Sequence, residues 1–152
     1  MPLTIRLLRT QDLVSLHELL SDEEVMKYLE PVYSMEKTRS FLNQAGLGDK
    51  PLIYAVDEDG VFIGYVIYHD YDDSGMEIGW VLKRDVWGKG YANELTEQLI
   101  ARAFAQQKDV VIECVPEQDA TKAIAKRYGF RYCGQEDGCE IYRLDQRTTE
   151  SV

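Results

Sequence analysis

Hydrophobic positions along this chain change their spacing several times, and each change marks an element. LTIRLL, Leu3 to Leu8, is apolar and partly alternating, which predicts a first strand ending at Arg9 and Thr10. Leu13, Leu16, Leu19 and Leu20 then recur at helical spacing behind a capping Thr10, and Ser21 with Glu24 forms a capping box for a short second helix through Leu29. Pro31 closes that piece, and Ser34 caps a third helix with Thr38, Phe41, Leu42 and Ala45 on one face and Gly46 at its stop. Three extended runs follow: Leu52 to Val56, Val61 to Tyr71 and Met76 to Leu82. The short, polar, glycine-ended links DEDG (Asp57 to Gly60) and DDSG (Asp72 to Gly75) predict that these runs meander as antiparallel hairpins.

In the second half, Leu95, Leu99, Ile100, Ala103 and Phe104 predict an amphipathic helix of about four turns. VVIECV, Val110 to Val115, reads as a buried strand, Ala120 to Tyr128 as a helix ended by Gly129, and RYCG and EIYRL as a closing hairpin around the turn EDG. The order predicts an α/β (α+β) fold, with a mixed, largely antiparallel central sheet of about seven strands flanked by helices. No repeat or linker divides the chain, so residues 1–145 read as one domain and the polar residues 146–152 as a loose tail.

Composition narrows the function. With 45% hydrophobic and 29% charged residues, the 152-residue chain reads as a globular protein large enough to bury a core without metals or disulfides. The formal charge of −10, from 27 acidic and 17 basic side chains, argues against nucleic acid or an anionic membrane as partner. Cys114, Cys133 and Cys139 lack CxxC spacing, which points away from a zinc site or disulfide framework and toward a reducing cytoplasm. MPLTIRLLRT lacks the apolar run of a signal peptide, and no stretch approaches the ~20 apolar residues of a membrane span, so the expected location is cytoplasmic.

The stretch WGKGYANE, Trp87 to Glu94, stands out in this acidic background. Gly88 and Gly90 let backbone N–H groups converge on a close partner, and the following helix adds its own first-turn N–H groups and the positive end of its dipole. Together these suit a phosphate, and Lys83, Arg84 and Lys89 supply local positive charge. A plain strand-to-helix turn is the competing explanation. A P-loop would need Ser or Thr after its lysine, whereas Gly90 and Tyr91 follow Lys89. A dinucleotide fingerprint would need a third glycine where Asn93 stands, after the first strand of a parallel unit.

MEIGWVLKRDVWGKGYANELTEQLI resembles the strand, pyrophosphate loop and helix of the GNAT N-acetyltransferases, and VIECVPEQDATKAIAKRYGFRYCG resembles their next strand, helix and closing GF signature. With the element order, the resemblance covers nearly the whole chain, and it is strongest toward the RimJ/RimL-like branch. It implies a GNAT-like sheet splayed between strands 4 and 5, here Met76 to Leu82 and Val110 to Val115, with acetyl-CoA as donor. It further implies that Val81 and Leu82 lend backbone groups to the pantetheine arm. Trp87, Gly88, Lys89, Gly90, Tyr91 and Ala92 would hold the pyrophosphate, with Asn93 just inside the helix. Trp87 replaces the Gln or Arg that often opens the family's loop, a change of little consequence where backbone holds the anion.

Acetyl transfer to an amine needs a base for the amine's proton and donors for the developing oxyanion. Glu113, a carboxylate inside an apolar strand, is the first candidate, at a place where family members often carry a glutamate; a solvent-facing or Arg-paired strand residue is the competing explanation. Glu77, on the strand before the loop, is the second. His69, alone at a strand end, reads as surface decoration. The tyrosine that many family members use as acid is replaced by Ala125, while Tyr128 reads as a core residue with a polar tip. Gln118 and Thr121 stand where the motif has Asn and Ser, and remain candidates to contact the cofactor. These departures leave a non-catalytic acetyl-CoA sensor or interaction module as the alternative function. The acceptor, a small amine or a peptide N-terminus, would meet the second and third helices, Val32 to Met35 and the late hairpin, with Asp22, Glu23, Glu24, Glu30 and Glu136 attracting positive charge. A monomer or a homodimer is compatible with all of this.

Overall fold

A computed structural model describes residues 3–146. The strands are β1 (Leu3–Arg6), β2 (Ile53–Glu58), β3 (Val61–Asp72), β4 (Gly75–Leu82), β5 (Asp109–Cys114), β6 (Arg131–Glu136) and β7 (Cys139–Leu144), and the helices α1 (Leu13–Leu20), α2 (Met35–Phe41), α3 (Tyr91–Ala105) and α4 (Asp119–Arg127). One seven-stranded sheet runs in the order β1-β2-β3-β4-β5-β7-β6. The pairs β1–β2, β2–β3, β5–β7 and β6–β7 are antiparallel. β4 and β5 are parallel, with Gly75, Met76 and Glu77 opposite Asp109, Val110 and Val111. That pairing follows from the connection, because a chain that leaves β4 and returns through a helix re-enters the sheet in the same direction. The helix-flanked mixed sheet is the one that the hydrophobic pattern predicts. Among the described residues, no helix is long and apolar enough to cross a membrane.

The chain forms two compact units: residues up to Tyr68 with Trp80–Leu95, and His69–Gly79 with the residues from Thr96 onward. In the first, Leu16, Leu19 and Leu20 of α1 are buried with Leu8, Met26 and Ile53. Arg6 fastens this unit by donating to both carboxylate oxygens of Asp12 at 2.9 Å and to Asp57 at 2.7 Å. Burial pushes the Asp12 carboxyl up, but the Arg6 hydrogen bonds and the Arg9 amide outweigh it and hold the group below its usual range. Ser34 caps α2 as predicted, accepting from Lys37 N at 3.0 Å.

The second helix predicted through Leu29 is instead a run of turns. Ser21 Oγ turns back to the Glu18 carbonyl, and Asp22 takes its place, accepting from the amides of Glu24 and Val25. Backbone bonds beyond it alternate between one-turn spacings, Met26 to Asp22 but Leu29 to Met26, so no regular α-helix propagates.

β2 and β3 shift register between Val56 and Asp57, and Gly64 lies at this bulge. A Cβ built on Gly64 would come within 2.2 Å of the Val81 carbonyl and 2.9 Å of Leu82 Cα, so only glycine lets β3 approach the end of β4 this closely. Gly64→Ala is therefore expected to lower stability by about 1–3 kcal/mol, as overpacking does, measured as a shift of the urea midpoint.

In the second unit α3 buries Thr96, Leu99 and Ala103. α4 ends in a Schellman motif: Gly129, at φ 85°, donates to Lys126 O, and Phe130 N donates to Ala125 O. Asp137 and Gly138, both with positive φ, make the tight turn between β6 and β7. Arg143 on β7 ties the end of β3 to the start of β5, donating to Asp72 at 2.9 Å and to Asp109 at 3.0 Å.

Candidate functional site

The glycine loop closes the first unit. Gly88 and Gly90 have φ of 78° and 81°, a left-handed backbone that L side chains rarely adopt, and a Cβ on either would meet nothing within 4 Å. Glu94 N donates to Gly90 O, so α3 begins bonding at this glycine and the loop opens onto the positive end of a 15-residue helix. Side chains hold the backbone in this shape. Trp87 Nε1 donates to the Leu82 carbonyl at 2.9 Å, pinning the start of the loop to β4, and the Tyr91 hydroxyl donates to Glu58 at the end of β2. Glu94 anchors the same turn by accepting from Leu3 N at 2.9 Å. The loop thus has what a phosphate needs: accessible glycine backbone, a helix N-terminus and an exposed Lys89.

Of the other two cations, Lys83 is half-buried and Arg84 is engaged by Asp22 at 3.2 Å. Both border a groove that Leu19, Asp22, Val25 and Asp85 complete. Val81 and Leu82, which precede it, are buried at the end of β4. Among the acidic candidates for acceptor attraction, Glu30 is already committed, taking the Tyr33 hydroxyl at 2.8 Å and lying 3.4 Å from Lys37 Nζ.

The second unit gathers both candidate carboxylates. Glu77 lies opposite Val111 in the parallel pair, so Glu113, two residues further along β5, shares its face of the sheet. Burial raises the Glu77 carboxyl above its usual range; His69 opposes that shift, and the negative charge of Glu113 adds to it. The Tyr71 hydroxyl donates to Glu113, and burial together with that bond pushes the phenol up to about 12. Cys139, on β7, faces the same carboxylates, its thiol raised by burial and then by Glu113 and Glu77. His69 Nε2 is 3.7 Å from Glu77 Oε1, while its Nδ1 is 2.9 Å from the Asp70 carbonyl.

The sequence marks Glu77 and Glu113 as candidates but does not show what surrounds them. His69 is not the surface decoration that its place at a strand end suggests: its ring is oriented at Glu77, and Tyr71 holds Glu113. The available signal was the alternation His69-x-Tyr71 just before a tight turn, which puts both on one face of a strand next to β4.

The remaining candidates serve local structure. Gln118 Oε1 accepts from Val115 N at 3.0 Å and shapes the turn out of β5, while Thr121 is half-buried in the first turns of α4. Ala125 has no exposed surface and packs α4 into the core, and the Tyr128 hydroxyl donates to Glu97 at 2.6 Å.

The helix-flanked mixed sheet, with parallel β4 and β5, is the fold of an acetyltransferase. The family model described as an acetyltransferase (GNAT) domain matches residues 2–131. The chain belongs to the GNAT family and is an N-acetyltransferase that uses acetyl-CoA. It is 31% identical over 136 residues to an uncharacterized N-acetyltransferase, YnaD, of Bacillus subtilis, covering 85% of this chain and 79% of that protein. The crystal structure of a GNAT-family acetyltransferase from Bacillus anthracis matches with a TM-score of 0.81 at 27% identity, covering 94% of this chain and 93% of the other. A Salmonella typhimurium protein, yncA, solved with its cofactor acetyl-CoA, shares the fold at a TM-score of 0.70 and 18% identity, covering 97% and 96%.

Proposed function

We propose that this protein is a cytoplasmic RimJ/RimL-like enzyme, monomer or homodimer, that acetylates a primary amine on a small molecule or peptide N-terminus by direct attack. Acetyl-CoA supplies a thioester-activated acetyl group. Backbone amides of residues 87–92, with Asn93 behind them, hold its diphosphate, Val81 and Leu82 lend main-chain groups to the pantetheine arm, and Gln118 and Thr121 complete the set. Glu77 and Glu113 share the acid–base work. Two carboxylates on one face disfavour simultaneous ionisation, which makes one of them a better proton acceptor than a solvated glutamate. Glu113 is already engaged by the Tyr71 hydroxyl, so Glu77 receives the amine's proton. The observation that carries this is the register that sets Glu77 and Glu113 on one face, with the Glu77 carboxyl raised. With Ala125 in the core, the departing sulfur takes its proton from water.

The test is to incubate the protein with acetyl-CoA and a panel of polyamines, amino acids, aminoglycosides and peptides, and to measure free thiol. Amine-dependent release is expected. Tight acetyl-CoA binding without release across the panel would instead identify a binding module.

A further inference from the structure

We infer that His69 is a positioning residue that completes a proton relay with Glu77. The inference rests on Glu77 as proton acceptor and adds a second station behind it. A carbonyl oxygen only accepts hydrogen bonds, so the 2.9 Å contact with Asp70 O requires His69 Nδ1 to carry a hydrogen. In the neutral ring, Nε2 is then the unprotonated nitrogen, and it lies 3.7 Å from Glu77 Oε1. That separation is longer than a hydrogen bond, so a proton crosses between the two atoms when a small side-chain rotation brings them to hydrogen-bonding distance. The Asp70 carbonyl thus fixes the ring in the tautomer that can accept.

In the relay, the proton leaving the acceptor's nitrogen passes to Glu77 and on to Nε2 of His69, while Nδ1 keeps its own. The imidazolium returns that proton to water, and water gives one to the departing sulfur, so the transfer is proton-neutral overall. The groups facing the pair set its balance. From β5, Glu113 disfavours a second negative charge on Glu77; on β3, Tyr71 is bonded to Glu113; Cys139 of β7 lies beside both carboxylates. Glu136, at the end of β6, adds negative charge near Tyr71.

The sequence has two histidines, His17 and His69, so imidazole nitrogen NMR on the donor-free protein has an internal reference. The expected result is the Nδ1–H tautomer for neutral His69. In His69→Gln, the Glu77 side-chain carbon resonance should titrate at higher pH than in the parent protein, because the histidine opposes the rise of that carboxyl. His69→Asn gives the same readout should the first variant fold poorly. In turnover, either variant should lose about tenfold to a hundredfold in kcat with the KM for acetyl-CoA unchanged. An Nε2–H tautomer, or a Glu77 titration that ignores both variants, overturns the relay. The NMR arms need no turnover, so an absence of acetyl transfer would sink the functional proposal while leaving them readable.

Discussion

Glu77→Gln is expected to lower kcat by about 10²–10⁴, the usual contribution of a positioned acid–base group, with acetyl-CoA affinity nearly unchanged. The amide keeps the shape of the side chain and removes its ability to take a proton. Glu113→Gln should cost less in rate, because that carboxylate already accepts the Tyr71 hydroxyl and acts through its charge. The two variants should also move the acidic limb of the pH–rate profile differently. Removing the Glu113 charge takes away one of the influences that raise Glu77, so the limb shifts to lower pH. Steady-state kinetics measured as a function of pH checks both. Equal losses in the two variants with an unmoved limb would reassign the base.

Gly90→Val is expected to weaken acetyl-CoA binding by about 10²-fold or more while costing the fold only about 1–2 kcal/mol of backbone strain. Gly90 has φ of 81°, and a β-branched residue resists that conformation, so the loop must turn its amides elsewhere. Hydrogen bonds to a charged group are worth ~1.5–3 kcal/mol each, so losing two reaches ~3 kcal/mol, about a hundredfold in affinity. A Cβ there meets nothing within 4 Å, so the cost to the fold is the backbone strain alone, with no steric clash added to it. Calorimetric titration with acetyl-CoA, alongside a thermal melt, separates the two effects. Unchanged affinity in a folded variant would remove the loop from the donor site.

The parts of the fold legible in the sequence are those set by local chemistry. Glycines at 88, 90, 129 and 138 adopt positive φ, and each stands in a turn or helix end that the residue pattern marks. The Ser34 cap and the leucine spacing of α1 need only their own segments. The Ser21 cap signal fails because capping is a competition among neighbours, and Asp22 captures the Glu24 amide that a Ser21 cap would use.

The glutamates were legible as charges in apolar strands. Their surroundings were not, because the cluster draws on β3, β4, β5 and β7 and exists only once register is fixed. His69 and Glu77 are eight positions apart in the sequence and 3.7 Å apart in space. Gly64 is a similar case, since its need for a bare backbone comes from Val81, which no local pattern reveals. Trp87 looks like a neutral replacement in a backbone-held loop, whereas its indole N–H ties that loop to Leu82.

The central claim is that main-chain amides around Gly88 and Gly90 hold the donor's diphosphate. Its most direct measurement is a proton–nitrogen correlation spectrum recorded as coenzyme A is titrated into labelled protein. The amides of Gly88, Lys89, Gly90 and Tyr91 are expected to show the largest shifts and to saturate together with binding. Saturable binding that leaves those four resonances in place would contradict it.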